Sequence, residues 1–271
     1  MQAGPLQNAI ADGAVLSARE TVLQLLEARP GETLGSADLA RGAETLDFAA
    51  PAIRMAISRL LADGEIVSPA RGRYRLGERR AAAQTVWGAW RTAERRLRPW
   101  TGRWLVVVDA AAPRGPAKAE RAHKRALRLF GFAEAEAGLW ARADNLIDDL
   151  DAVASGLGRA GLKTGTRVLG PSSADGESDA AFRGLHDAAT LETAYRDGLA
   201  RLPEQTKALA EAPVAAAMAA AFHIGRDAIR SIAFDPLLPE ELADARLRSD
   251  YFKSARAFVD AGYAVWRGAL T

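Results

Sequence analysis

Between residues 17 and 64 the apolar positions recur with the period of an α-helix. In "SARETVLQLLEA", Ser17 is a good N-cap with Glu20 at the capping-box spacing, and Val22, Leu25 and Leu26 form an apolar stripe. Pro30 and Gly31 end that helix. A second, short helix is expected from Ser36 to Arg41, capped by its serine, with a loop from Gly42 to Phe48 after it. A third starts near Pro51, whose missing N–H costs nothing in a first helical turn, and stops at Asp63 and Gly64. Its Ile53, Ile57, Leu60 and Leu61 share one arc. "EIVSP" and "RYRL" then read as two strands joined by an "ARG" turn.

The pattern changes further along. "ERRAAAQTVWGAWRTAERRLRPW" is helical in period, with Trp87 and Trp90 three apart, and predicts a linker helix within 78–103. "RWLVVVDA" is a buried strand, "KAERAHKRALRLFGF" an amphipathic helix with Ala122, Ala126, Leu129 and Phe130 inward, and "AEAGLWARA" a second strand. "NLIDDLDAVASGLGRAG" is a second helix and "TRVLG" a third strand. From about 180 onward the chain is helical, with helices expected from Ala181 to Leu202, Pro203 to Ala233 and Ser249 to Ala269. Pro236 and Pro239 force a corner, after which Glu240 and Glu241 open a short helix.

These elements predict an α+β, multidomain chain. An N-terminal lead (1–16) precedes a winged helix-turn-helix domain (17–77). The linker (78–103), a ferredoxin-like α/β domain (104–175) and an all-helical C-terminal domain (180–271) follow.

Composition narrows the function. The 271 residues include no cysteine, which removes disulfides and thiolate zinc sites and fits a reducing cytoplasm. The N-terminus lacks the basic start and apolar run of a signal peptide, and "APVAAAMAAAFHIG" is too short to span a bilayer, so a soluble protein is expected. The net charge is only +2, but residues 71–103 hold ten arginines against two glutamates. Arginine's planar fork of donors suits phosphate oxygens. On the third helix the face opposite the apolar arc is small and neutral at its centre, with Pro51, Met55, Ser58 and Ala62, and carries Arg54 and Arg59 on its edges. Such a face fits a DNA major groove, and Arg71, Arg73 and Arg75 around the hairpin suit phosphates or the minor groove. The DNA-binding candidates are therefore Pro51, Arg54, Met55, Ser58, Arg59, Arg71, Arg73 and Arg75, with Arg91, Arg95, Arg96 and Arg98 as further backbone contacts.

Other chemistry is thinner. Gly156, Gly158 and Gly161 match a dinucleotide fingerprint in letters, but they close a helix instead of following a strand, and no cofactor is expected. The histidines His123, His186 and His223 lack a metal-ligand partner at helical spacing. Asp109, at the end of "LVVVD", is the one candidate for a metal-dependent nuclease, the alternative to a DNA-binding regulator. His223, Arg226 and Arg230 are placed to hold an anionic effector if they face a cavity.

Three stretches in order carry a resemblance to a known family: "SARETVLQLL" with "AIRMAISRLLADGEI" and "GRYRL", then Trp87, Trp90, "WLVVVD" and "RALRLFGFAEAEAGLWAR", then Arg230 and "DPLLPEEL". The sequence resembles the PaaX-like transcriptional regulators, named for the repressor of phenylacetic acid degradation. The resemblance implies a cytoplasmic, non-enzymatic repressor with a winged-helix head, a middle domain similar to the Cas2 fold and a helical C-terminal domain. It also implies a homodimer on double-stranded DNA with an inverted-repeat operator, released by a small-molecule effector such as an acyl-CoA or aromatic acid. Arg54, Ser58 and Arg59 would then lie in the groove, with Arg71 and Arg73 on the wing. The sequence departs from the family after Leu242, where "ADARLRSDYFKSA" stands in place of a proline, tryptophan and glycine; if that corner shapes the effector pocket, the expectation is a ligand other than phenylacetyl-CoA or no effector at all.

Overall fold

The computed structural model describes residues 16–78 and 89–270. The expected N-terminal lead as far as residue 15, Trp87 and most of the first half of the linker lie outside them. The described chain is mixed α+β with two small antiparallel sheets, and it divides into two compact units, each discontinuous in sequence. One unit comprises Met1–Arg91, Gly198–Arg230 and Phe252–Thr271; the other comprises Thr92–Asp197 and Ser231–Tyr251. The C-terminal helices, expected as a domain of their own, contribute residues to both.

In the first unit, α1 (Ala18–Glu27) opens on the foreseen capping box. The Ser17 hydroxyl accepts the Glu20 N–H at 3.2 Å, and the Glu20 carboxylate accepts the Ser17 N–H at 2.9 Å. Val22, Leu25 and Leu26 are buried. The strand β1 (Leu34–Gly35) had no periodic signal, since two residues define no period. It leads into α2 (Ser36–Glu44), which is longer than expected and takes Gly35, not Ser36, as N-cap. There the Asp38 carboxylate accepts the Gly35 N–H at 3.0 Å. The helix α3 (Ala50–Ala62) has Pro51 in its first turn and ends at Asp63, where Gly64 turns the chain at φ +67. Its buried side chains are Ile53, Ala56, Ile57 and Leu60. Leu61 was expected in that arc but is 37% exposed. At about 100° per residue it falls roughly a quarter turn from the arc's centre, whereas Ala56 completes the i, i+3, i+4, i+7 row. Each large aliphatic side chain buried here stabilises the unit by about 1.5–3 kcal/mol.

β2 (Ile66–Ala70) and β3 (Arg73–Leu76) form the expected hairpin, and β1 pairs on the other side of β3 to give the order β1-β3-β2. Gly72 makes the turn at φ +70. Gly77 has no room for a side chain, because a Cβ would lie 2.3 Å from the Gly64 carbonyl.

In the second unit a 3-10 helix (Ala89–Arg96) enters from the other unit, replacing the α-helix expected in this part of the linker. There follow β4 (Trp104–Val108), α4 (Ala117–Leu129), β5 (Ala133–Glu136), β6 (Leu139–Ala143), α5 (Leu150–Ala160) and β7 (Arg167–Ser172). The strand read from "AEAGLWARA" is instead part of a hairpin. Gly138 breaks it at φ +80, where a Cβ would lie 2.8 Å from the Ala110 backbone. The sheet order is β5-β6-β4-β7, all antiparallel. Its core is Leu105, Val107, Leu127, Phe132, Trp140, Val153 and Leu157. The inward face of α4 is His123, Ala126 and Leu127, so the expected Ala122, Leu129 and Phe130 are only half-buried.

Four helices complete the chain: α6 (Gly176–Arg183), α7 (Ala188–Glu211), α8 (Val214–Ala233) and α9 (Ala245–Gly268). Pro203, expected to start a helix, lies inside α7 on its exposed side; the break comes at Pro213. Residues 240–242 form a turn and no short helix, and α9 starts four residues before Ser249, capped by Asp244 through the Leu247 N–H at 2.8 Å. In the second unit the "FDPLLPEEL" corner is held by polar groups. The Tyr195 hydroxyl donates to Asp235 at 2.5 Å, Asp235 accepts the Leu237 N–H at 2.8 Å, and Asn145 donates to the Leu237 carbonyl at 2.6 Å. Burial pushes the Asp235 carboxyl up, against the hydrogen bonds from Tyr195 and Leu237.

Candidate nucleic-acid interface and a cavity in the first unit

The helical period that buries Ile53, Ala56, Ile57 and Leu60 turns Pro51, Arg54, Met55, Ser58 and Arg59 to solvent, and all five are exposed. Met55 is 55% exposed, unusual for an unbranched apolar side chain with nothing to cover it in the free chain. Among the described residues neither Arg54 nor Arg59 has a carboxylate within ion-pair distance. The face is apolar and small along its centre and cationic at its edges, as its sequence predicts.

The hairpin arginines differ from one another. Arg71 is exposed at the turn, and Arg75 is half-buried opposite Val67. Arg73, expected to be presented to phosphate, uses part of its donor set within the unit: Nη2 donates to the Thr33 carbonyl at 2.9 Å and Nε to the Thr33 hydroxyl at 3.2 Å. It ties β3 to the turn before β1, while Arg73 itself stays exposed and its charge meets no carboxylate among the described residues.

Among the described residues, Arg91, Arg96, Arg98 and Arg103 of the basic stretch are also engaged, whereas Arg95 is exposed. Arg91 bonds Asp260 at 2.8 Å and lies over the Trp90 ring. Arg96 bonds Asp148 at 2.9 Å, Arg98 bonds Asp144 at 2.6 Å, and Arg103 donates to the Pro171 carbonyl. Of the four arginines expected to add backbone contacts, Arg91, Arg96 and Arg98 thus have an acidic partner within the chain, and Arg95 stands exposed.

Of the three residues proposed for an effector, Arg226 and Arg230 line a cavity of about 890 Å³ within the first unit. His223 does not; it is buried, edge-on to the Phe222 ring. The cavity walls come from α1, from the segment around Trp90, and from α8 and α9. Residues that sequence reading missed supply most of its chemistry: Arg19, Glu20 and Glu27 from α1, Arg91, and Asp260, Tyr263 and Arg267 from α9. Ion pairs between residues as distant as Arg91 and Asp260 leave no local signal. At Glu20 burial works to raise the pKa, but hydrogen bonds from the Ser17 backbone and hydroxyl and the charges of Arg226 and His223 outweigh it and hold the carboxyl below its usual range.

In the second unit Asp109 is neither solvated nor open. Its carboxylate meets His123 Nε2 and lies 3.7 Å from the Lys163 ammonium. His123 is fully buried, and its Nδ1 accepts the Lys163 N–H at 3.3 Å, so the ring carries its proton on Nε2 and donates to Asp109. Lys163 also bonds Glu120 at 3.3 Å. The cluster staples the end of β4 to α4 and to the loop before β7, with both contacts on Asp109 Oδ2. No group of three or more acidic or histidine side chains placed to hold a metal occurs among the described residues. The glycine triad lies within α5 and at its end. Gly161 is its left-handed C-cap at φ +114, and Gly156 gives way to the Phe130 ring, which a Cβ would approach to 2.6 Å.

No family model and no curated protein matches the chain. Among solved structures it is similar to the uncharacterized protein Rv0674 from Mycobacterium tuberculosis. The TM-score is 0.61 at 25% identity, over 92% of this chain and 98% of that one. No helix among the described residues is long and apolar enough to cross a membrane.

Proposed function

We propose that this protein is a DNA-binding transcriptional regulator, a repressor of a catabolic operon released by a small-molecule effector. The observation that carries the reading is the exposed face of α3, with Met55 and Ser58 at its centre and Arg54 and Arg59 at its edges, beside a hairpin that offers Arg71. In this reading helices α1 to α3 and the β1-β3-β2 sheet make a winged helix-turn-helix, with α3 in the major groove and the hairpin against the backbone. The β-α-β-β-α-β order of the second unit agrees with the ferredoxin-like, Cas2-similar domain that the PaaX-like resemblance implies. The same resemblance makes the regulator a homodimer on an inverted repeat. The cavity bearing Arg226 and Arg230 suits an anionic effector such as an aromatic acid or an acyl-CoA, whose phosphates carry its charge.

The test is fluorescence anisotropy on duplex DNA from upstream of the protein's own gene, titrated at several salt concentrations. Wild type is expected to bind with a steep salt dependence and to prefer that DNA over scrambled duplex. Arg54→Ala with Arg59→Ala should remove the preference while circular dichroism stays unchanged. Equal preference in wild type and the double variant overturns the reading.

A further inference from the structure

The cavity in the first unit has a composition that selects a ligand class. Trp90, Phe222 and Tyr263 give it aromatic wall, and Ala221, Gly225 and Gly262 line it with little or no side chain. The narrowness of the packing behind it is visible at Gly262, where a Cβ would lie 3.0 Å from that of Ala221. Five arginines and three carboxylates line the space, an excess of positive charge. Arg91 is held by Asp260, while Arg267 has no carboxylate within ion-pair distance among the described residues. A flat apolar body with one anionic group satisfies both parts of such a lining.

One lining residue also reaches the end of α3. Arg19 lines the cavity, and its guanidinium bonds Asp63 at 3.0 Å and Glu65 at 3.7 Å, where α3 stops and the chain turns into β2. An anion in the cavity competes with those two carboxylates for the same cation. The two sites are thereby linked through a single side chain, and the linkage is reciprocal.

We propose that this cavity binds an aromatic carboxylate, and that occupancy is passed to α3 by drawing Arg19 away from Asp63 and Glu65. The second half rests on α3 being the DNA-reading helix; the first half does not. Because the carboxylates and the ligand compete for Arg19, neutralising Asp63 and Glu65 strengthens ligand binding. A side chain that merely shaped the cavity would not behave so. Asp63 stands at a helix C-terminus, where the dipole disfavours negative charge, so Asp63→Asn does not weaken α3.

The experiment uses the full chain and isothermal titration with 1-naphthoate, with 1-naphthalenemethanol as the same body without charge and inorganic phosphate as charge without body. Naphthoate should bind at least tenfold more tightly than either. Arg267→Gln should weaken it about fivefold or more. Asp63→Asn with Glu65→Gln should tighten it two- to fivefold, and should do nothing in an Arg19→Gln background. Saturating naphthoate should lower affinity for upstream DNA in wild type and leave it unchanged in Arg19→Gln. Equal binding of the neutral alcohol, or no tightening in the carboxylate variant with its circular dichroism intact, overturns the proposal. The expected naphthoate pattern in a chain that binds no DNA at all would keep the site and overturn the regulatory reading instead.

Discussion

Arg54, Arg59 and Arg71 stand exposed with no carboxylate in reach among the described residues, whereas Arg96, Arg98 and Arg103 each hold an acceptor in the second unit. Charge counted along the chain makes no such distinction, and it points most strongly to residues 71–103. The difference lies in what folding brings opposite each guanidinium. Asp144 and Asp148 come from the end of β6 and the loop after it, nearly fifty residues away, and cancel the charge of Arg98 and Arg96. Among the described residues no carboxylate comes within ion-pair distance of Arg54 or Arg59 on the outer face of α3, whose opposite arc packs against α1, α2 and β2. A cation left unmatched in a folded chain is one that a phosphate can still claim, and one already matched is part of the fold.

The comparison predicts opposite outcomes for the same substitution. Arginine to alanine at both Arg54 and Arg59 should cost roughly 2–4 kcal/mol of DNA affinity, about 30- to 1,000-fold at fixed salt, with the thermal midpoint moved by no more than a degree or two. Arg98→Ala should do the reverse. Asp144 is only 4% exposed, so removing its partner strands a carboxylate away from water and should lower stability by about 2–3 kcal/mol. DNA affinity per folded molecule should stay within twofold. Denaturant titration and anisotropy on both variants decide the matter, and a stable Arg98→Ala that fails to bind DNA would erase the distinction.

Within the hairpin the contrast repeats on a smaller scale. Arg71→Ala should reduce the slope of log affinity against log salt by about one unit and leave stability unchanged, as for a single lost phosphate contact. Arg73→Ala should lower stability by about 1 kcal/mol through the lost bonds to Thr33, with little change in that slope.

How much of this was readable beforehand follows from the range of each interaction. The capping box at Ser17, the stop at Gly64 and the exposed face of α3 are set by residues within one or two turns, and they are legible. The cavity is not, since Arg19, Arg91 and Asp260 meet only through tertiary packing. Nor was the commitment of Arg73, because Thr33 lies forty residues upstream in a segment with no periodic signal. Gly138 belongs to the same class: its turn was hidden inside a run of residues that suit a strand, and the reason for a glycine there is the Ala110 backbone.

The smallest expected effect concerns pH and tests whether charges in the second unit are part of its fold. Asp179 accepts a hydrogen bond from Arg183 at 2.6 Å and from the Trp104 indole at 2.8 Å, and these two, in that order, hold its carboxyl below the ordinary 3.8. A carboxyl depressed in the folded state contributes stability above its unfolded pKa and loses that contribution as pH falls through its folded one. The loss should therefore fall below pH 3.8, as a steepening in the thermal midpoint followed by tryptophan fluorescence, to which Trp104 contributes directly. In Asp179→Asn the indole keeps an acceptor but the titrating charge is gone, so the midpoint should be slightly lower at pH 6 and flatter toward pH 3. The exposed arginines of α3 predict no counterpart: Arg54→Ala with Arg59→Ala should leave the acid limb of the wild-type curve where it is. An acid limb that moves with the α3 variant and ignores Asp179→Asn would mean that the unmatched cations had partners in the folded chain after all.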